Sequence, residues 1–105
     1  MLFITGPLYS GKRTFAQKFN GTNRFEVQEL AAESTDLQAL AEELADYDVV
    51  TATEMGGGVV PVEAAQRAAR EKAGRLACLL AERADCVVYM FCGLPTVLKG
   101  DLPTC

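Results

Sequence analysis

The chain predicts an α/β domain built on a mainly parallel sheet. Three observations point there. Short apolar strand-like runs alternate with amphipathic helical stretches, which is the pattern of βαβ units. The first strand runs directly into a glycine-bounded loop and then a helix. A glycine-rich segment also follows the next strongly β-branched run, so polar loops recur at the same ends of successive strands. At 105 residues the chain allows one domain, taken as residues 1–105.

Met1-Leu2-Phe3-Ile4-Thr5 reads as the first strand. Gly6-Pro7-Leu8-Tyr9-Ser10-Gly11-Lys12 follows and fits G-x-x-x-x-G-K. In such a loop the glycines let the backbone wrap an anion, and successive N–H groups point at phosphate oxygens. Lys12 then reaches the β- and γ-phosphates, and the next hydroxyl normally holds Mg²⁺. Here Arg13 takes the place of that hydroxyl, and Thr14 comes one residue later. An arginine has no acceptor and cannot ligate a metal. Residues Gly6 to Thr14 are therefore the expected nucleotide site, with Thr14 as a candidate metal ligand.

Lys12 to Phe19 is expected as a helix, with Phe15 and Phe19 on one face and Gly21 as terminator. Phe25-Glu26-Val27-Gln28 gives a weak alternating run. Ser34-Thr35-Asp36 opens a helix, with Thr35 and Gln38 at capping-box spacing and Leu37, Leu40 and Leu44 as the apolar stripe. Tyr47 to Thr53 is rich in β-branched residues and reads as a buried strand. Glu54 closes it, and Gly56, Gly57 and Gly58 follow in a loop suited to close approach of a ligand. A carboxylate at Glu54 can hold a phosphate-bound Mg²⁺ or orient a hydroxyl. Val62 to about Ala84 is a long helix, with Ala65, Ala69, Leu76, Leu80 and Ala84 on its buried side. Arg67 and Arg70 lie one turn apart on that helix. Cys86 to Phe91 is a last apolar strand, and the tail from Gly93 has no strong pattern.

Composition narrows the function. The net charge is −4, with 10 basic and 14 acidic residues and no basic stripe interleaved with aromatics, so no nucleic-acid surface is expected. No apolar run is long enough to span a bilayer, and no leader is recognised. A cytoplasmic protein is expected. Hydrophobic residues make up 50% of a short chain, which leaves apolar surface to cover and predicts a homo-oligomer. The chain has no histidine, which removes His-based acid–base catalysis and any nucleotidyl-histidine intermediate. Cys78, Cys86 and Cys92 sit in apolar company and read as buried hydrophobes.

Residues 53–61, Thr-Glu-Met-Gly-Gly-Gly-Val-Val-Pro, resemble the N-E-V-G-x-G-I-V-P segment of the bifunctional adenosylcobinamide kinase / adenosylcobinamide-phosphate guanylyltransferase family. The likeness continues through Arg67, Arg70, Glu71 and Gly74, which fit that family's R-x-x-R-(D/E)-x-x-G run. It goes on through Val87 to Pro95 and Lys99. Ile4-Thr5-Gly6, Ser10-Gly11-Lys12 and Phe15-Ala16 resemble its nucleotide loop. The stretch between the two blocks is shortened relative to the family. The resemblance implies a small RecA-like P-loop domain, ATP or GTP with Mg²⁺ as cofactors, and a corrinoid substrate. It implies phosphoryl transfer to the cobinamide hydroxyl, with Lys12 and Glu54 as catalytic residues, Thr14 and Glu54 as metal ligands, and Gly56–Gly58 as the substrate-side loop. The family's guanylylated histidine has no counterpart, so guanylyl transfer is expected to be lost. A non-catalytic nucleotide- or corrinoid-binding module, and a P-loop kinase of another small metabolite, remain open as alternatives.

Overall fold

The computed structural model describes residues 1–7, 10–54 and 64–102, with the side chains of 64–66 outside that description. The predicted mainly parallel sheet is present. Strands β1 (Leu2–Gly6), β2 (Asn23–Arg24), β3 (Val49–Thr53), β4 (Cys86–Phe91) and β5 (Leu94–Lys99) form one sheet in the order β2-β3-β1-β4-β5. Four of the strands are parallel. Only β5 runs antiparallel, against β4.

β1 is central because it is apolar on both faces. Phe3 points to one side and Leu2 and Ile4 to the other, and all three are buried. Phe3 joins Val50, Ala52 and Val87 in the larger core cluster, which the helices α2 (Gln28–Ala31), α3 (Leu37–Leu44) and α4 (Ala64–Arg83) cover. Leu2 and Ile4 join Val49, Val88 and Met90 in a second cluster, closed by Ala16 and Phe19. The long helix α4 buries Ala73, Leu76 and Leu80, and Ala84 just past its end continues the stripe. Each of the two leucines contributes about 1.5–3 kcal/mol through that burial.

Several elements differ from expectation. α1 spans Lys12–Ala16 only. Beyond it, Lys18 N and Phe19 N bond back to Phe15 O and Ala16 O, so the chain tightens into a turn before Gly21. The cap of α3 is Asp36 rather than Thr35. Its carboxylate accepts from Ala39 N at 3.2 Å, and an ionised acceptor at a helix start outcompetes the neighbouring hydroxyl. Residues 25–28 are not a strand. β2 ends at Arg24, and Gln28 already belongs to α2.

The tail is ordered as β5. Cys92 (φ 51°) and Gly93 (φ 75°) form a two-residue turn with both central residues at positive φ, the requirement of a tight hairpin. Pro95 is tolerated because β5 is an edge strand. Lys99 reaches back to cap α4, its Nζ donating to Ala81 O and Glu82 O, each at 3.0 Å. Of the three cysteines expected in the core only Cys86 is buried. Cys78 lies on the outer side of α4, and Cys92 sits in the hairpin turn.

Candidate functional site

The carboxyl ends of β1, β3 and β4 meet at one edge of the sheet, and their alignment follows from the register. Gly6 lies opposite Thr53, and Glu54 N donates to Gly6 O at 2.8 Å. A side chain at Gly6 would collide with the Met90 carbonyl of β4, so a residue without Cβ is what lets the loop leave the sheet here.

Ser10 is buried, and its carbonyl accepts from Gly93 N at 2.9 Å. Gly11 (φ 90°) precedes α1 and presses against Gly93; a Cβ on it would sit 3.3 Å from the Gly93 Cα. The hairpin turn thus braces the loop. Lys12 is 5% exposed and folds back across the loop. Its Nζ donates to Pro7 O at 2.7 Å and lies 3.4 Å from Ser10 Oγ. Burial pushes the Lys12 ammonium below its ordinary value, and the charges of Glu26 and Glu54 oppose that shift.

Arg13 and Thr14 are both exposed. The Arg13 guanidinium lies over the Phe25 ring, 4.8 Å from its centroid. Glu54 is exposed and accepts from Tyr89 OH at 3.3 Å. Burial, with Glu54 beside it, holds the Tyr89 phenol above its ordinary value. Of the candidate residues, the structure brings Gly6, Pro7, Ser10, Gly11, Lys12 and Glu54 to this edge. Leu8, Tyr9, Gly56, Gly57 and Gly58 lie outside the described residues.

The sequence reading missed a third participant. Glu26, placed by the short segment between β2 and α2, has its carboxylate tied to the end of β3. Its Oε2 accepts from Thr53 Oγ1 and from Gln28 Nε2, both at 2.7 Å. Gln28 is buried, and its Oε1 accepts from Thr53 N at 2.9 Å. Burial pushes the Glu26 carboxyl up. The hydrogen bonds from Thr53 and Gln28 outweigh it, with help from the Lys12 and Arg13 charges, and hold the group below the usual range. Reading residues 25–28 as an alternating strand hid this carboxylate. The signal that finds it is its place just beyond the carboxyl end of a parallel strand, the rule that also located Glu54.

Among the described residues no three of His, Cys, Asp and Glu gather as metal ligands. A cavity of about 110 Å³ opens beside the site, walled by Gln28, Thr53, Glu54 and Arg70 with alanines of α4 behind. Among the described residues no helix is long and apolar enough to cross a membrane.

A family model described as cobinamide kinase / cobinamide phosphate guanyltransferase matches residues 22–98. That span holds Glu26, Glu54, α2–α4 and the β4–β5 hairpin as far as Leu98, and it begins after the Gly6–Thr14 loop. No curated protein matches the chain.

Proposed function

The chain belongs to the cobinamide kinase / cobinamide phosphate guanyltransferase family, and from that membership we propose that it is a nucleotide-dependent adenosylcobinamide kinase. It transfers the γ-phosphoryl group of ATP or GTP to the aminopropanol hydroxyl of the corrinoid. The observation that carries this reading is Lys12, a buried ammonium folded across a glycine-bounded loop, with two carboxylates acting on it from adjacent strand ends.

The chemistry follows from that arrangement. The acceptor oxygen attacks the γ-phosphorus, the bond to the β–γ bridging oxygen breaks, and the nucleoside diphosphate leaves. Lys12 exchanges the Pro7 carbonyl for phosphate oxygens and stabilises the charge that develops on them. Phosphoryl transfer depends mainly on such positioning and electrostatics, so few residues suffice. The donors on this chain fit Mg²⁺, which prefers oxygen ligands, keeps several waters and is usually shared with phosphates. Thr14 and Glu54 would hold it, and it would neutralise charge on the phosphates. Arg13 stands where the usual ligand hydroxyl would be, with its guanidinium over the Phe25 ring.

Guanylyl transfer through histidine is lost, because the chain has no histidine to carry it. In this reading Gly56–Gly58 serve the corrinoid substrate, and the protein works in the cytoplasm as a homo-oligomer. Support for the oligomer comes from Phe91, Leu94, Val97, Leu98 and Leu102, large apolar residues exposed on the hairpin and just beyond. Incubation with ATP or GTP, Mg²⁺ and adenosylcobinamide, with products read by mass, tests the kinase. A phosphorylated corrinoid is expected, and its absence overturns the reading. The Arg13–Phe25 stack favours one rival, a non-catalytic nucleotide-binding module, because it replaces the metal-ligating hydroxyl with a cation held away on an aromatic ring. That rival predicts nucleotide binding with no transfer.

A further inference from the structure

We propose that Glu26 is the carboxylate that receives the acceptor hydroxyl in the transfer, a role that rests on the kinase reading above. Its place comes first. Glu26 lies just past the carboxyl end of β2, at the sheet edge that carries the Gly6–Thr14 loop, and its charge acts on both Lys12 and Arg13. A carboxylate at the sheet edge that also carries Lys12 sits where an incoming hydroxyl can be oriented.

Orientation comes second. Both strong donors, Thr53 Oγ1 and Gln28 Nε2, converge on Oε2. They fix the plane of the carboxylate and leave Oε1 outside that pair of bonds. Gln28 is itself held by Thr53 N, and Glu26 N donates to Thr51 Oγ1 at 3.3 Å, so backbone and side chain are both anchored to β3. A group locked in this way loses little freedom when it takes a hydrogen bond from substrate.

The backbone gives a third argument. Glu26 has φ 57°, one of two non-glycine residues with positive φ among those described. The other, Cys92, is explained by its hairpin turn. Glu26 is in no hairpin, and a non-glycine residue takes up this backbone at a cost. Its side chain is turned back onto Thr53.

The cavity beside the site supplies room for the acceptor. Gln28 and Thr53, the two residues that hold Glu26, form part of its wall. Its volume of about 110 Å³ matches a short hydroxyalkyl arm of a few heavy atoms rather than a whole large ligand. The two carboxylates then divide the work. Glu54 walls that cavity too and is bonded to Tyr89 of β4, whereas Glu26 borders it through Gln28 and Thr53; in this division Glu54 is left to the metal and Glu26 takes the hydroxyl proton. In the reaction the hydroxyl proton passes to the Glu26 carboxylate as the oxygen–phosphorus bond forms, and the nucleoside diphosphate carries away the electrons of the broken bond.

The test compares unmodified protein with Glu26→Gln and Glu26→Asp, using ATP or GTP, Mg²⁺ and adenosylcobinamide. Nucleotide affinity is read by calorimetry, turnover by product mass, and folding by thermal melting. Glu26→Gln is expected to bind nucleotide within about twofold of the unmodified protein and to lose about 100-fold or more in turnover, the usual scale for a proton acceptor. Glu26→Asp is expected to recover part of that loss, and it decides the question if the Gln variant does not fold. Turnover by Glu26→Gln at the unmodified rate overturns the inference and leaves the kinase reading standing. Parallel loss of affinity and turnover also overturns it, because Glu26 is then a support of the loop. No transfer by the unmodified protein overturns the kinase reading and this inference with it.

Discussion

Replacing Lys12 by alanine tests the nucleotide site most directly. Lys12 Nζ donates to Pro7 O at 2.7 Å and approaches Ser10 Oγ at 3.4 Å. Burial costs the ammonium its hydration, and Glu26 and Glu54 compensate through their charges. A phosphate arriving here meets a cation already stripped of water, so the contact belongs to the charge-assisted class, worth about 1.5–3 kcal/mol. Lys12→Ala should therefore raise the dissociation constants of ATP and GTP by about 10- to 150-fold. Isothermal calorimetry at fixed ionic strength reads this directly, and a thermal melt of each protein checks that the loop is intact. Equal affinities in the two proteins, with both folded, would refute the assignment of this loop to nucleotide phosphates.

Four further outcomes are expected. Gly6→Ala drives a methyl group into the Met90 carbonyl and should cost about 1–3 kcal/mol, seen as a lower melting temperature. Arg13→Ser restores a ligand hydroxyl and should lower the Mg²⁺ concentration for half-maximal turnover, while Glu54→Gln should reduce turnover more than nucleotide affinity; an unchanged metal requirement with a fully active Glu54→Gln would remove both from the metal site. Glu26 is held below its ordinary value of 4.5, so its contribution to stability is present above that pH and is lost as pH falls through the lower folded value; Glu26→Gln should flatten this part of the acid-unfolding curve, and superimposable curves would contradict it. Light scattering should give a mass above 11.3 kDa, whereas that value held across a wide concentration range would rule out the oligomer.

The fold was largely legible because its strands are apolar on both faces. Val49–Thr53 and Cys86–Phe91 show β-branched or continuous apolar runs that only a sheet covered on both sides explains. The Gly6–Lys12 spacing and the strand-end rule likewise placed Lys12 and Glu54. Two regions were not legible for identifiable reasons. Residues 25–28 carry an apolar–polar alternation, but hydrogen bonds to Thr51 and Thr53 override it and bend the segment at Glu26. β5 contains a proline and follows a Cys-Gly turn without the usual turn pair. Pairing with β4 makes it a strand, and its six residues are all exposed, so no burial pattern marked it. The cysteines show the same limit: apolar neighbours in sequence do not say which side of a helix a residue occupies.

The contact between Gly11 and Gly93 makes two distant codons answer to one another. A methyl group on Gly11 meets the Gly93 backbone, and Gly93 at φ 75° donates its amide to Ser10 O, so loop and turn are held to one another. Insertions or deletions in the turn between β4 and β5 should therefore be felt at Ser10 and Gly11. Natural variants of this chain should keep the Phe91–Leu94 turn at two residues.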